Sequence, residues 1–185
     1  MLKASAIGIL WAVSLAGLFA AGVSDFRHRT IPNRMVALVA CCGVALRLIS
    51  DPRSIAASIG AAVAVLLLLG VLAHQNIVGG GDAKLIAAVT LLVPPSHVVG
   101  LLLWIAIGGG VLSALYLSAH LLWRKPALVM AAGGVPQPAL HRMGVLRTEA
   151  GRIAVHRSVP YGLATFAGTA AYALSEALQW HFAIS

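Results

Sequence analysis

The chain is 185 residues long, and 60% of these residues are apolar while only 10% are charged. Soluble domains carry roughly 25% charged residues, so the composition excludes an ordinary soluble domain and indicates a membrane protein. The net charge of +8 does not indicate a nucleic-acid partner. The basic residues lie between apolar segments, where positive cytoplasmic loops are expected, and the aromatic residues are too few for a base-stacking platform.

The pattern of apolar segments predicts an all-α fold, a polytopic membrane helix bundle with about six transmembrane segments. We expect it to form a single domain over residues 1–185. A spanning helix needs about 20 apolar residues, although the first segment also has features of a signal peptide. In chain order, the predicted segments are Ala4 to Val23, Met35 to Ile49, Ile55 to Ala73, Ala83 to Val93, Val98 to Trp123 and Pro160 to Trp180.

The first predicted segment ends at an aspartate, Asp25, which precedes a basic loop and then Pro32 and Asn33. A carboxylate at a membrane is costly, so such a residue is usually functional. Pro32 and Asn33 resemble a helix start, with Asn33 as a possible cap. We therefore expect a short loop, fixed at both ends, that holds Asp25 in place. An ion pair between Asp25 and its basic neighbours is the alternative interpretation.

The second and last segments contain further polar or reactive residues for which we expect structural roles. Cys41 and Cys42 are predicted to be small core residues. The chain has no Cys-x-x-Cys pair, which excludes a zinc site built on paired cysteines, and we predict no cofactor and no metal. Glu176 is expected near the outer membrane interface.

The fourth predicted segment begins beside a second aspartate, in the sequence Gly79-Gly80-Gly81-Asp82-Ala83-Lys84. Asp82 is expected to be the N-cap of a helix that begins at Ala83. The three glycines leave room for an extended peptide to approach the carboxylate. Lys84 could bias the local charge, or its side chain could reach towards the membrane interface.

The fourth segment is too short to cross a membrane. Its eleven residues, before the stop at Pro94-Pro95, span about 16 Å at 1.5 Å per residue. This length would place Asp82 within the membrane, beside a water-filled pocket.

Positive charge is distributed unevenly between the two ends of the predicted segments. Ten basic residues fall on one side, while only Lys3, Arg47 and Arg53 fall on the other. The richer side is predicted to be cytoplasmic. Asp25 and Asp82 both lie on that side.

Two motifs together resemble those of the type IV prepilin peptidase family of GxGD-type intramembrane aspartic proteases. Asp25 stands in an Asp-x5-Ile-Pro-Asn frame that ends at Ile31, Pro32 and Asn33, and Asp82 stands in a Gly-x-Gly-Asp-x-Lys element. A third match is Val159-Pro160-Tyr161-Gly162, followed by Gly168, which is similar to the family's last helix.

The resemblance implies that Asp25 and Asp82 are the catalytic residues. The other motif residues would then shape the site or position the substrate. They are Ile31, Pro32, Asn33, Gly79, Gly80, Gly81, Lys84, Pro160, Tyr161 and Gly162.

The resemblance is greatest to the short Tad-type form that serves Flp pili. The paired Cys-x-x-Cys region of the bifunctional relatives is missing, so no methyltransferase domain is expected. The implied activity is removal of a basic leader peptide from type IV (Flp-type) prepilins or pseudopilins, at the cytoplasmic face of the bacterial inner membrane. The basic segment 124–159 could contact anionic membrane lipids or an acidic pilin residue, or could simply reflect positive-inside topology.

Paired carboxylates imply a specific mechanism, because two close carboxyl groups share one proton. The ionised partner can take a proton from water, while the protonated partner polarises the scissile carbonyl and later protonates the leaving amine. Two other functions stay open at this point. Membrane carboxylates also serve proton-coupled transporters and channels, and a non-catalytic scaffold for pilus assembly would need no dyad.

Overall fold

The computed structural model describes the backbone of residues 2–132 and 161–184, and the side chains of residues 3–118 and 161–178. Within these ranges the regular structure is entirely helical, which confirms the predicted all-α fold. Each of the six predicted segments corresponds to one helix. The helices are α1 (Leu2–His28), α2 (Asn33–Ser50), α3 (Ile55–His74), α4 (Gly80–Thr90), α5 (Val98–Ala132) and α6 (Tyr161–Ile184).

Four stretches of the described chain are long and apolar enough to cross a membrane: Lys3–His28, Asn33–Ser50, Pro52–His74 and Pro95–Ser118. Helix α4 is not among them, because its eleven residues reach only about 16 Å. Helix α6 has 24 residues, which is a sufficient length for a span. The chain is therefore a multi-pass membrane protein.

Helix α1 is longer than predicted, and Asp25 lies in its last turn rather than in a loop. The N–H of Arg29 donates to the carbonyl oxygen of Asp25 at 2.8 Å, and Arg29 takes a left-handed φ of 56°, which ends the helix. A short loop does join α1 to α2, but it covers only residues 29–32. Asp25 precedes it because the helix continues through polar residues after the apolar segment has ended.

Two predicted helix caps are also wrong. Helix α2 begins at Asn33 with Pro32 in the cap position, and no side chain caps it. Helix α4 begins at Gly80 with Gly79 in the cap position, so Asp82 lies in the first turn. The N–H of Ala83 donates to the carbonyl oxygen of Gly79 at 3.0 Å, which closes that turn. Glycine is among the residues that are favoured in the cap position.

Helix α5 continues to Ala132 instead of ending near Trp123. The added residues are mostly good helix formers, although they are less apolar than the segment before them. Residues 133–160, which include most of the basic segment and Pro160, lie outside the described residues. Contacts between residues divide the chain into two units, 1–109 with 160–185, and 110–159. A single domain therefore stays a prediction.

The first unit is built around the short helix α4. This helix packs against α2, α3 and α6, while α1 packs against α2 and α6. Seven of the eleven residues of α4 are buried, including Leu85 and Val89. Of the two cysteines, Cys42 is buried as predicted but Cys41 is exposed. The two side chains point about 100° apart on the helix, and only that of Cys42 is buried.

Candidate active site

The two sequence motifs meet at one end of the first unit. A Cβ atom added to Gly81 would lie 3.4 Å from the Cβ atom of Ile31, which is ordinary packing distance. The side chain of Ile31 is itself packed against the core. The loop after α1 therefore rests on the first turn of α4, and this contact brings Asp25 and Asp82 to the same region.

Asp25 is buried, with 8% of its surface exposed, and its carboxylate binds the start of helix α6. The backbone N–H of Gly162 donates to Oδ2 of Asp25 at 3.0 Å. Gly162 is the second residue of α6, where N–H groups have no intrahelical acceptor. The positive end of the helix dipole also lies there. Helix α6 thus supplies a hydrogen bond and a favourable potential to this carboxylate.

The close approach of α1 to α6 leaves little room for a side chain at two glycines. A Cβ atom on Gly162 would lie 3.0 Å from the Cβ atom of Asp25, and one on Gly22 would lie 3.2 Å from the Cα atom of Leu163. Small residues allow helices to pack with their backbones close together. The two glycines therefore hold Asp25 against the first turn of α6.

Asp82 lies in the first turn of α4 and is partly buried. Its Oδ2 atom lies 2.5 Å from the position that a Cβ atom on Gly79 would take, so the carboxyl group occupies space that only glycine leaves free. Its Oδ1 atom is buried and has no hydrogen-bond partner among the described residues. An unpaired buried polar atom is costly. This oxygen is therefore available to form a hydrogen bond with an incoming water or peptide.

The protonation of Asp82 is shifted strongly by its surroundings. Burial, and secondly the negative charge of Asp25, raise the pKa of Asp82 from 3.8 to about 7. The structure, which describes both residues, gives no hydrogen bond between the two carboxyl groups. The two groups are thus close enough for their charges to interact, and Asp82 retains a proton up to near-neutral pH.

This chain is similar to one known family of proteins. A model of the type IV leader peptidase family matches residues 12–114. The chain belongs to the type IV leader peptidase family. No curated protein and no solved structure gives a significant match. Membership of the family supports a leader peptidase, and hence a protease, function in general. Both aspartates lie within the matched residues, whereas Gly162 lies beyond them.

The structure gives the exposure of most of the other predicted site residues. Gly79, Gly80 and Lys84 are exposed, as are Pro32 and Asn33 at the start of α2. Their roles stay predictions.

Tyr161 opens α6 and is 42% exposed, and its Cε1 atom lies 3.6 Å from where a Cβ atom on Gly109 would be. Pro160 lies outside the described residues. Within the described chain, no group of three or more His, Cys, Asp or Glu side chains is placed to hold a metal ion.

Two features of this leader peptidase were not predicted from the sequence. One is the donor role of Gly162, which only the packing of α6 against α1 creates. The other is a polar group at the far ends of the helices, formed by Arg47, His97, Tyr172 and Glu176. Charged residues inside apolar segments, at Arg47 and Glu176, were the available signal for it.

Proposed function

We propose that this protein is an aspartic endopeptidase that removes the basic leader peptide from type IV prepilins or pseudopilins. In this proposal it is the short Tad-type form that serves Flp pili, and it cuts at the cytoplasmic face of the bacterial inner membrane. The observation that carries the proposal is the pair of carboxyl groups at one end of the unit. Asp25 is held by the N–H of Gly162, and Asp82 has an unpaired oxygen and a pKa raised by Asp25.

The two carboxyl groups divide the chemistry between them. Asp25 takes a proton from water, and the resulting hydroxide adds to the scissile carbonyl carbon. Protonated Asp82 donates a hydrogen bond to the carbonyl oxygen as it becomes an oxyanion. Asp82 then gives its proton to the amide nitrogen, the C–N bond breaks, and the oxyanion collapses to a carboxylic acid. Transfer of the proton from Asp25 to Asp82 restores the starting pair.

The surroundings of Asp82 favour a peptide substrate. Gly79 and Gly80 are exposed, and a Cβ atom on Gly80 would meet no described atom within 4 Å. An extended peptide can therefore approach the backbone beside Asp82 without a steric barrier. The apolar part of a prepilin would then lie along the membrane-spanning helices, with its leader at the end that holds the aspartates.

Cleavage of a co-expressed Flp-type prepilin tests the proposal. Loss of the leader appears as a shift on a gel, and we expect the shift to disappear in Asp25→Asn and in Asp82→Asn. Positioned acids and bases contribute about 10² to 10⁴-fold to rate, so either change should reduce cleavage by at least about 100-fold.

Asp51→Asn is the matched control. Asp51 is exposed and accepts a hydrogen bond from the N–H of Arg53 in the α2–α3 connection. This change should leave cleavage intact. Undiminished cleavage by purified Asp25→Asn or Asp82→Asn protein would contradict the dyad. If pilus assembly also tolerated both changes, the scaffold interpretation would replace the protease.

A further inference from the structure

A cavity of about 710 Å³ lies at the ends of the helices opposite the aspartates. On α1 it is lined by Trp11, fourteen residues before Asp25, which corresponds to about 21 Å along the helix. On α6 it is lined by Tyr172 and Glu176, whereas Gly162, which binds Asp25, lies in the first turn. The cavity is therefore separate from the proposed catalytic site.

Arg47 lines this cavity and is the least expected residue in it. Its side chain is 6% exposed, and its Nη2 atom donates to the carbonyl oxygen of Leu92 at 3.0 Å. Its Nε atom has no hydrogen-bond partner within the described chain. An arginine side chain remains charged in proteins, and a buried charge without an adequate partner is costly. An anionic group in the cavity would relieve that cost.

The acidic residues nearby are already engaged. Nδ1 of His97 lies 2.9 Å from the hydroxyl oxygen of Tyr172 and 3.6 Å from Oε1 of Glu176. Asp51 follows α2, and its charge acts on Arg47, but its Oδ1 accepts from the N–H of Arg53. None of these acidic groups is bonded to Nε of Arg47, which keeps one N–H donor without a partner in the described chain.

The cavity has both polar and apolar lining residues. Arg47 lies three residues before the end of α2, and His97 directly precedes α5, so these two polar residues are near helix ends. Leu15 and Leu46 belong to the apolar part of the wall. Four described stretches of the chain are long and apolar enough to cross a membrane. In such a protein, Arg47 near a helix end beside an apolar wall suits an amphiphile whose head lies at the membrane surface and whose tail lies in the apolar interior.

We propose that the cavity binds one membrane phospholipid. Its phosphate accepts hydrogen bonds from Arg47, and an acyl chain lies along Trp11, Leu15 and Leu46. The volume lies in the range of about 300–1,000 Å³ that is typical of ligand sites, which suits a headgroup and part of a chain. The role is separate from the proposed peptidase chemistry: the lipid joins the far ends of α1, α2 and α6.

Lipid titration of the full-length protein tests this inference. The protein is purified in detergent, stripped of lipid and titrated with phosphatidylglycerol, and bound lipid is counted by native mass spectrometry. We expect one saturable site in the wild type. Hydrogen bonds to charged groups are worth about 1.5–3 kcal/mol, so Arg47→Gln should weaken binding by about tenfold or more. Arg53→Gln removes the same charge from an exposed position of the α2–α3 connection and should bind like the wild type.

A second variant tests the proposal independently, in case Arg47→Gln does not fold. Ala173→Phe places an aromatic ring in the cavity while Arg47 stays in place, and it should also weaken binding of the lipid. Diacylglycerol with the same chains should bind at least tenfold more weakly, and inorganic phosphate should not displace the phospholipid. Equal binding by all variants, or by diacylglycerol, would overturn the proposal. Displacement by inorganic phosphate would assign the site to a free anion instead.

Discussion

At the scale of single residues, the position of Asp25 depends on the absence of a side chain at residue 162. Gly162→Ala would place a Cβ atom 3.0 Å from the Cβ atom of Asp25, so Asp25 must move away from the N–H group that holds it. A misplacement of about 1 Å can cost about 100-fold in rate. A contact of 3.0 Å is relieved by a shift of a few tenths of an ångström, so we expect prepilin cleavage by Gly162→Ala to fall by up to about tenfold.

The control for Gly162→Ala is Gly70→Ala in α3, where an added Cβ atom meets no described atom within 4 Å. This variant should cleave like the wild type. If Gly162→Ala also cleaved at the wild-type rate, the close contact between α6 and Asp25 would not matter for activity.

Asp82 makes the stability of the folded protein depend on pH. Its pKa is raised from 3.8 to about 7 in the folded state, so the folded state keeps a proton that the unfolded state has already lost. Below about pH 3.8 the group is protonated in both states and has no effect. As the pH rises from about 4 to 7, the free energy of unfolding falls progressively. Above about pH 7 the folded protein has lost all of the stability that ionisation of this buried carboxyl group costs.

Thermal unfolding in detergent, followed from pH 4 to pH 8, measures this effect. The midpoint should fall with rising pH in the wild type and fall less in Asp82→Asn, which cannot ionise. The relevant quantity is the difference in slope between the two proteins. Asp51→Asn should keep the wild-type slope, and an equally steep slope in Asp82→Asn would show that Asp82 does not titrate in this window.

At the scale of helices, the contact between α5 and α6 depends on glycine. A Cβ atom on Gly168 would lie 2.5 Å from the Cα atom of Ile105 and 2.7 Å from the carbonyl oxygen of Trp104. Backbone atoms cannot rotate away as a side chain can, so the helices must separate. Gly168→Ala should reduce the free energy of unfolding by about 1–3 kcal/mol, the usual cost of overpacking.

Denaturant unfolding in mixed micelles would measure the loss in Gly168→Ala. Gly100→Ala is the comparison, because a Cβ atom there meets no described atom within 4 Å although it lies on the same helix α5. A Gly168→Ala protein as stable as Gly100→Ala would mean that α5 and α6 are not held this closely.

The existence of the helices could be predicted from apolar segments, but several of their ends could not. The predicted ends at Val23 and Trp123 mark where apolar residues give way to polar ones, whereas α1 and α5 continue to His28 and Ala132. Helix formation depends on backbone hydrogen bonds and local propensity, which do not change at the membrane surface. Asp82 shows the same limit, because the helix begins within the glycines rather than after the aspartate.

At the scale of the whole molecule, the sequence predicted which residues gather at one end but not how they are held there. Charge asymmetry placed Asp25 and Asp82 on one side, and the motifs suggested that they act together. The hydrogen bond from Gly162 joins residues 137 positions apart, and it exists only because α1 and α6 pack closely. The lipid cavity likewise needs residues from several helices, so no local pattern could reveal it.

The distribution of basic residues also predicts the orientation of the molecule in the membrane. Arg27, Arg29 and Arg34 lie around the α1–α2 connection near the aspartates, while Arg53 lies in the α2–α3 connection at the opposite end. Because cytoplasmic loops are rich in Lys and Arg, the end that holds the aspartates should face the cytoplasm.

Cysteine labelling tests this orientation in a background with Cys41→Ser and Cys42→Ala. Thr30 and Arg53 are both exposed, and each is replaced singly by cysteine. A membrane-impermeant maleimide should label Arg53→Cys in intact spheroplasts, and it should label Thr30→Cys only in inverted membrane vesicles. The parent without cysteines reports background labelling. Labelling of Thr30→Cys from outside intact cells would place the aspartates on the wrong side of the membrane for a prepilin leader, which lies at the cytoplasmic surface before cleavage.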